Sequence, residues 1–294
     1  MMLFKMFRSA AILSAVCFFG ANAPSTWAQD NGAQNNGVDG PPKILVIQRE
    51  MLKPGKAGAM HMKSEAAFIH AMANAKATPR YLAMTSLSGQ SRALFFSGYS
   101  SLDAWEQENK SINKDAVLSA ALDRATVADG DLLTEYAQSV WLRRDDLSMN
   151  MSNLQGDRYM EITQYMVRPG HRHEWEELVK LVMEGYKKGI PDANWVMFEQ
   201  LYGTNGNAFL VIGKLKSMTE ADQHLGSQKQ FGDAVGEDGM KKIGELEAAC
   251  VESEQTNLFA FEPKMSYPPE AWTKAEPDFW KQPTAPVLAK KAGE

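Results

Sequence analysis

Two carboxylates and a tyrosine stand in two similar stretches of the chain. Glu161 and Tyr165 lie in Arg158-Tyr-Met-Glu-Ile-Thr-Gln-Tyr-Met-Val-Arg-Pro-Gly170, and Glu50 lies in Lys43-Ile-Leu-Val-Ile-Gln-Arg-Glu-Met-Leu-Lys-Pro-Gly55. A carboxylate taken out of water holds its proton more tightly and becomes a base poised nearer neutral pH. A tyrosine hydroxyl can donate toward negative charge that develops on a substrate. Glu161 or Glu50 as base, with Tyr165 as donor, is therefore the candidate catalytic set. Gln48, Thr163 and Glu199 are the polar groups that would orient a ligand beside them, with His171 as a further candidate. Neither carboxylate has a recognisable partner in the sequence. Ligand binding is favoured over catalysis on that ground, and whether the protein is an enzyme stays open.

The elements that must position these residues come in one order, twice. Each stretch reads as a strand stopped by Pro-Gly and followed by a helix. The first helix spans about Ala57 to Ala77, with Met62, Ala66, Ile69 and Ala73 as its apolar stripe. Tyr81 to Leu87 and Ala93 to Tyr99 form a hairpin around Ser88-Gly-Gln-Ser91. A helical region capped by Ser101 breaks near Asn113, and a strand from Glu135 to Arg143 closes the first β-α-β-β-α-β unit. The second unit repeats that order, with a strand to Val167, a helix from Arg172 to Lys188, a hairpin around Gly203 and a last strand from Glu254 to Phe261. Pro54 and Pro169 are 115 residues apart, and Gly89/Gly203, Gly98/Gly213 and Ser101/Ser217 keep nearly the same offset. The expected organisation is residues 1–28 as a signal peptide, 29–42 as a linker, 43–147 and 158–262 as two ferredoxin-like repeats, and 263–294 as a Pro- and aromatic-rich tail. The fold class is α+β. The tail has too many prolines for a regular element, and its aromatics Trp272, Phe279 and Trp280 are expected to lie across the surface of the fold.

The run Tyr159-Met-Glu-Ile-Thr-Gln-Tyr-Met-Val-Arg-Pro-Gly-His-Arg-His-Glu-Trp175 resembles the opening of NIPSNAP-type domains in the dimeric α/β-barrel superfamily. The likeness covers about twenty residues of the second repeat; in the first, Lys53-Pro-Gly55 is its main trace. The resemblance implies two four-stranded sheets face to face with helices outside, closed within one chain by the two repeats. It also implies pockets between a sheet and its covering elements or in the barrel mouth. The superfamily is functionally mixed and includes cofactor-free monooxygenases, haem enzymes, small isomerases and proteins without known activity.

Within such a barrel the more apolar strand faces, Leu45/Ile47 and Met160/Ile162/Gln164/Met166, are expected under the helices. Gln48, Glu50, Glu161, Thr163 and Tyr165 would then face the barrel interior, joined by Glu199. The alternative is that these residues are solvated or paired at the barrel mouths. The expected partner is a small, largely apolar molecule, with cofactor-free oxygenase- or isomerase-type chemistry as the reaction the resemblance allows. A haem-binding oxidoreductase with His171 as ligand is the alternative, and a partner-binding module using the aromatic tail is a third reading.

Metal and cofactor motifs are missing from the sequence. His171 and His173 are two residues apart on a helix start and diverge, so they make a poor metal pair. His61 shares a stripe with Glu65 and Phe68, and a place at the surface or a pocket rim is expected for it. The spread of the seventeen methionines reads as core filling. Cys250, in an apolar helical run, reads as a buried inert thiol. No metal and no cofactor are expected. The net charge of −5 argues against nucleic acid, which needs a basic footprint. Lys5 and Arg8, a short apolar run from Ala10 to Ala23 and Thr26-Trp-Ala28 read as an export signal; an uncleaved anchor is the alternative. The processed chain is expected to be periplasmic or secreted, without a membrane span. Its oligomeric state stays open.

Overall fold

The computed structural model describes residues 40–203 and 206–280, together with the backbone of Val16–Cys17, which pairs with Ala193–Asn194. Apart from those two positions, the expected signal peptide and most of the linker lie outside the described residues, as does 281–294 of the tail. No helix among the described residues is long and apolar enough to cross a membrane.

Alternating apolar residues build eight principal strands: β1 (Ile44–Leu52), β2 (Leu82–Ser86), β3 (Arg92–Tyr99), β4 (Leu133–Arg143), β5 (Tyr159–Val167), β6 (Val196–Tyr202), β7 (Ala208–Leu215) and β8 (Val251–Phe261). They close into an antiparallel barrel in the order β8-β2-β3-β1-β4-β6-β7-β5. Within it the first four strands pair as β2-β3-β1-β4 and the last four as β6-β7-β5-β8. Registers correspond: Ile44 lies opposite Tyr99 and Tyr159 opposite Leu215. Two seams join the halves, β4 to β6 through Leu142 and Glu199, and β8 to β2 through Phe261 and Met84.

The long helices are α1 (Ala59–Asn74), α2 (Leu102–Lys114), α3 (Ala116–Gly130), α4 (Arg172–Gly189) and α5 (Met218–Cys250). The expected break near Asn113 is the α2/α3 junction, where the Asp115 side chain accepts from the amides of Val117 and Leu118. The Pro-Gly turns before α1 and α4 place Gly55 and Gly170 at φ of 78° and 86°, a region that suits a residue without Cβ. α4 packs on α5, and Gly185 makes that approach possible: a Cβ there would meet Val235 Cγ2 at 2.4 Å. Trp175, Leu178 and Val182 are buried against Tyr165, Val167, Phe209 and Val211 of β5 and β7, as the helical spacing predicts.

The strand facing is opposite to the sequence expectation. Leu45, Ile47, Met160 and Ile162 fill the lumen with Trp141, Phe198, Leu210 and Phe259, while Glu50, Thr163 and Tyr165 face the helical layer. The reason is enclosure. A lumen walled on every side by sheet must be filled by side chains alone, so it takes the more apolar set. On the outer face the helices bring their own apolar groups, and polar strand residues find partners or open space.

The tail also departs from expectation. Among the described residues it forms a 3-10 turn (Pro263–Met265) and two short helices, α6 (Glu270–Ala275) and α7 (Pro277–Trp280), with Pro269 and Pro277 at the starts of the helices. Trp272 and Trp280 are buried and join the lumen cluster beside Phe261. Arg158 fixes this segment, with its guanidinium 2.5 Å from Glu276 and stacked 3.9 Å over Phe279.

Candidate functional site

α1 turns an unusual face inward. Its expected stripe, Met62, Ala66, Ile69 and Ala73, is only half-buried or exposed, and the buried positions are His61, Glu65, Ala71 and Met72. His61 is 1% exposed, so its expected place at the surface or a pocket rim is wrong. A helix that buries an imidazole and a carboxylate while leaving an isoleucine half-exposed has been shaped by something other than stability.

Those two side chains meet Glu50 of β1 and Asp129 in the last turn of α3. His61 Nε2 lies 2.8 Å from Glu50 Oε2, 3.7 Å from Glu65 Oε1 and 3.7 Å from Asp129 Oδ1. All four residues are buried, and one ligating atom from each lies within 4.8 Å of the others. Glu65 Oε1 and both carboxylate oxygens of Asp129 have no hydrogen-bond partner. Burial pushes the Glu50 carboxyl up, against the lowering effect of the His61 hydrogen bond. Burial, then the neighbouring Glu50 and Asp129, push Glu65 up to about 9. The sequence reading expected no metal and did not bring these four residues together. His61 and Glu65 at i, i+4 were the available signal; Glu50 and Asp129 come from other elements, at separations no motif records.

Beside the cluster, a cavity of about 310 Å³ opens between the sheet of the first half and α1, α2 and α3. Val46, Phe95, Phe68, Met72, Trp105 and Ile112 supply its apolar wall, and Glu50 and Glu65 reach it from the cluster. At its rim the Tyr99 hydroxyl donates to Glu108 at 2.5 Å, and burial pushes the Glu108 carboxyl up to about 7 despite that bond. The buried Tyr81 hydroxyl, also on the wall, has no hydrogen-bond partner. Two smaller cavities, of about 60 and 160 Å³, lie at the barrel mouths. Neither has a comparable cluster of buried titratable groups along its wall.

The matching space in the second half is solid. Tyr165, Trp175 and Phe209 stack there, with centroids 4.9 and 5.2 Å apart. The sequence-derived candidates are thus divided. Glu50 and Gln48 line the first-half cavity, where Gln48 also donates to Gln138 at 3.4 Å. Tyr165 is sealed under α4, and the Thr163 hydroxyl pairs with Thr256 at 2.8 Å. Glu161 is partly buried opposite Gly213 and Leu258, and burial alone pushes its carboxyl up to about 7. Glu50 and Tyr165 lie in different halves, so the two do not form one catalytic set.

Glu199 is held in an ion-pair network. Burial raises its pKa, and hydrogen bonds from Arg172 and Arg144 outweigh that and lower it overall; its Oε2 lies 2.7 Å from Arg172 and 2.8 Å from Arg144. His171 sits at the start of α4 with its side chain 41% exposed, 3.4 Å from Glu174. The space beneath α4 that a haem ligated there would occupy is filled by Trp175, Tyr165 and Phe209, so the residues present do not fit a haem at His171. Cys250 is buried, and burial pushes its thiol up to about 11, in keeping with an inert role.

No family model matches the chain, and no curated protein matches it. Solved structures similar to it include an anthrone oxidase-like protein, at 12% identity, 76% of this chain, 94% of that chain and a TM-score of 0.48. A candidate monooxygenase from Lactobacillus acidophilus NCFM matches at 11% identity, 74% of this chain, 93% of that chain and a TM-score of 0.46. A mutant chlorite dismutase from Candidatus Nitrospira defluvii matches at 10% identity, 80% of this chain, 96% of that chain and a TM-score of 0.45. At such values the functional reading rests on this chain's own residues.

Proposed function

We propose that the protein binds a small, largely apolar molecule carrying a polar group, in the cavity between the first-half sheet and α1–α3. One observation carries this reading: a cavity of about 310 Å³ with an apolar side formed by Val46, Phe68, Phe95 and Trp105, polar groups on the rest of its wall, and buried, unpartnered polar atoms at Glu65 and Tyr81. Such a composition is usual for a ligand site, where apolar area supplies affinity and a few polar groups fix orientation. If the bound molecule reacts, proton transfer is the chemistry at hand. Glu50 and His61 form a hydrogen-bonded pair, and burial together with the neighbouring Glu50 and Asp129 pushes the Glu65 carboxyl up to about 9. We also propose that 43–147 and 158–262 are copies of one ferredoxin-like unit within the dimeric α/β-barrel superfamily. The parallel strand orders and registers of the two halves support this. A NIPSNAP-like origin is supported by the Tyr159-to-Trp175 run, and export by the N-terminal sequence.

A thermal-shift screen of small aromatic and apolar molecules tests the site. A ligand at about 100 times its Kd should stabilise the protein by about 2.7 kcal/mol. Val46→Phe, which fills the cavity, and Tyr81→Phe, which removes a polar group, should blunt the shift, and Glu161→Gln should leave it intact. Hits indifferent to both cavity substitutions would place the ligand elsewhere.

A further inference from the structure

We infer that Glu50, His61, Glu65 and Asp129 form a binding site for a first-row divalent transition ion, of the class of Mn²⁺, Fe²⁺ or Zn²⁺. The inference rests on these four side chains and holds whether or not an organic molecule occupies the neighbouring cavity.

Geometry comes first. Four atoms no more than 4.8 Å apart fit inside a sphere of radius about 2.9 Å, close to metal–ligand bonds of about 2.0–2.3 Å. Small side-chain rotations close that gap. The separations of 2.8 and 3.7 Å from His61 Nε2 to the carboxylate oxygens resemble those between neighbouring ligands on one ion.

Satisfaction comes second. Acidic clusters at a surface are solvated and need no ion. Here Glu65 and Asp129 are 3% and 2% exposed, and the Glu65 and Asp129 oxygens nearest His61 have no hydrogen-bond partner. Buried polar atoms are nearly always satisfied, so atoms left bare around a common point mark the place of a missing partner. A cation satisfies all of them together, which a single water cannot do as fully.

Charge comes third. Among the described residues no lysine or arginine pairs with any of the three carboxylates, and His61 is their shared neighbour. Asp129 also lies in the last turn of α3, where the helix end is already negative and a carboxylate is disfavoured. A divalent ion reverses each of these penalties. One imidazole with three carboxylates is too oxygen-rich for a thiophilic ion, and the nitrogen argues against Ca²⁺ or Mg²⁺. Glu50 and Glu65 also line the cavity, so the ion would have a side open toward a ligand there.

The test uses the purified full chain stripped with EDTA, gel-filtered after incubation with MnCl₂, ZnCl₂ or CaCl₂, and assayed for bound metal and Tm. One Mn²⁺ or Zn²⁺ per chain is expected, with a rise in Tm that CaCl₂ does not match. Asp129→Asn and Glu65→Gln should each weaken binding by roughly tenfold or more and abolish the rise. Metal-free, both should melt no lower than wild type, since each sheds an ionisable buried group. Glu161→Gln, which alters a carboxyl of the second half, should retain the ion. Failure of the wild type to retain Mn²⁺ or Zn²⁺ would leave a proton-sharing cluster and overturn the proposal. So would retention by both variants, which would put the ion elsewhere. If neither variant folds, electron spin echo spectra of the Mn²⁺-loaded wild type decide: no coordinated imidazole nitrogen, no site.

Discussion

Glu161 and Glu50 are both carboxylates on outward faces of central strands, yet their surroundings give them different parts. Glu50 has a partner in His61, whereas burial alone raises Glu161 to about 7 from 4.5. For Glu161 the unfolded chain releases its proton near pH 4.5 and the folded chain keeps it to about 7, so its share of stability is lost as pH rises through that window. Glu161→Gln should therefore melt several degrees above wild type at about pH 8 and together with it at about pH 4. Equal melting at the higher pH would show that Glu161 is solvated. The sequence pointed to Glu50 through its place on a strand; it placed His61 and Glu65 on one stripe but assigned His61 to the surface or a pocket rim. It left Asp129 unread, because only the packing of α3 on α1 brings residues 61 and 129 together.

At the scale of elements, most boundaries were legible because turn and cap residues mark them: Pro-Gly before α1 and α4, Ser101 before α2, the hairpins at Gly89 and Gly203. Facing was less legible. Alternation separates two sides of a strand but does not say which side is lumen, and on β5 both sides carry large apolar groups, Met160 and Ile162 on one and Tyr165 and Val167 on the other. The helices resolved unequally. α4 follows its apolar stripe, so Val182→Asp should cost about 3–5 kcal/mol by burying an unpaired charge under the helix. A urea midpoint unchanged from wild type would mean that α4 does not pack as described. α1 instead hides its polar stripe, and a helix whose buried face is less apolar than its open one is read wrongly by periodicity alone.

Over the whole molecule the two halves share a topology and differ in filling. One packs Trp175, Tyr165 and Phe209 between sheet and helix; the other leaves a cavity with a histidine and three carboxylates beside it. The packed half adds apolar burial to the same barrel, which offsets the cost of the unpartnered buried oxygens of Glu65 and Asp129 in the hollow half. The β4–β6 and β8–β2 seams have a further consequence, of mass action. Seams between separate chains would open on dilution below their dissociation constant. Here residues 145–157 tether one half to the other, so each half meets its partner at an effective concentration on the order of millimolar however dilute the protein becomes. Tm should accordingly hold steady across roughly a hundredfold dilution, and a Tm that falls with concentration would mean that stability is borrowed from a second chain. A protein built this way keeps its site assembled at copy numbers where a two-chain barrel would spend most of its time apart.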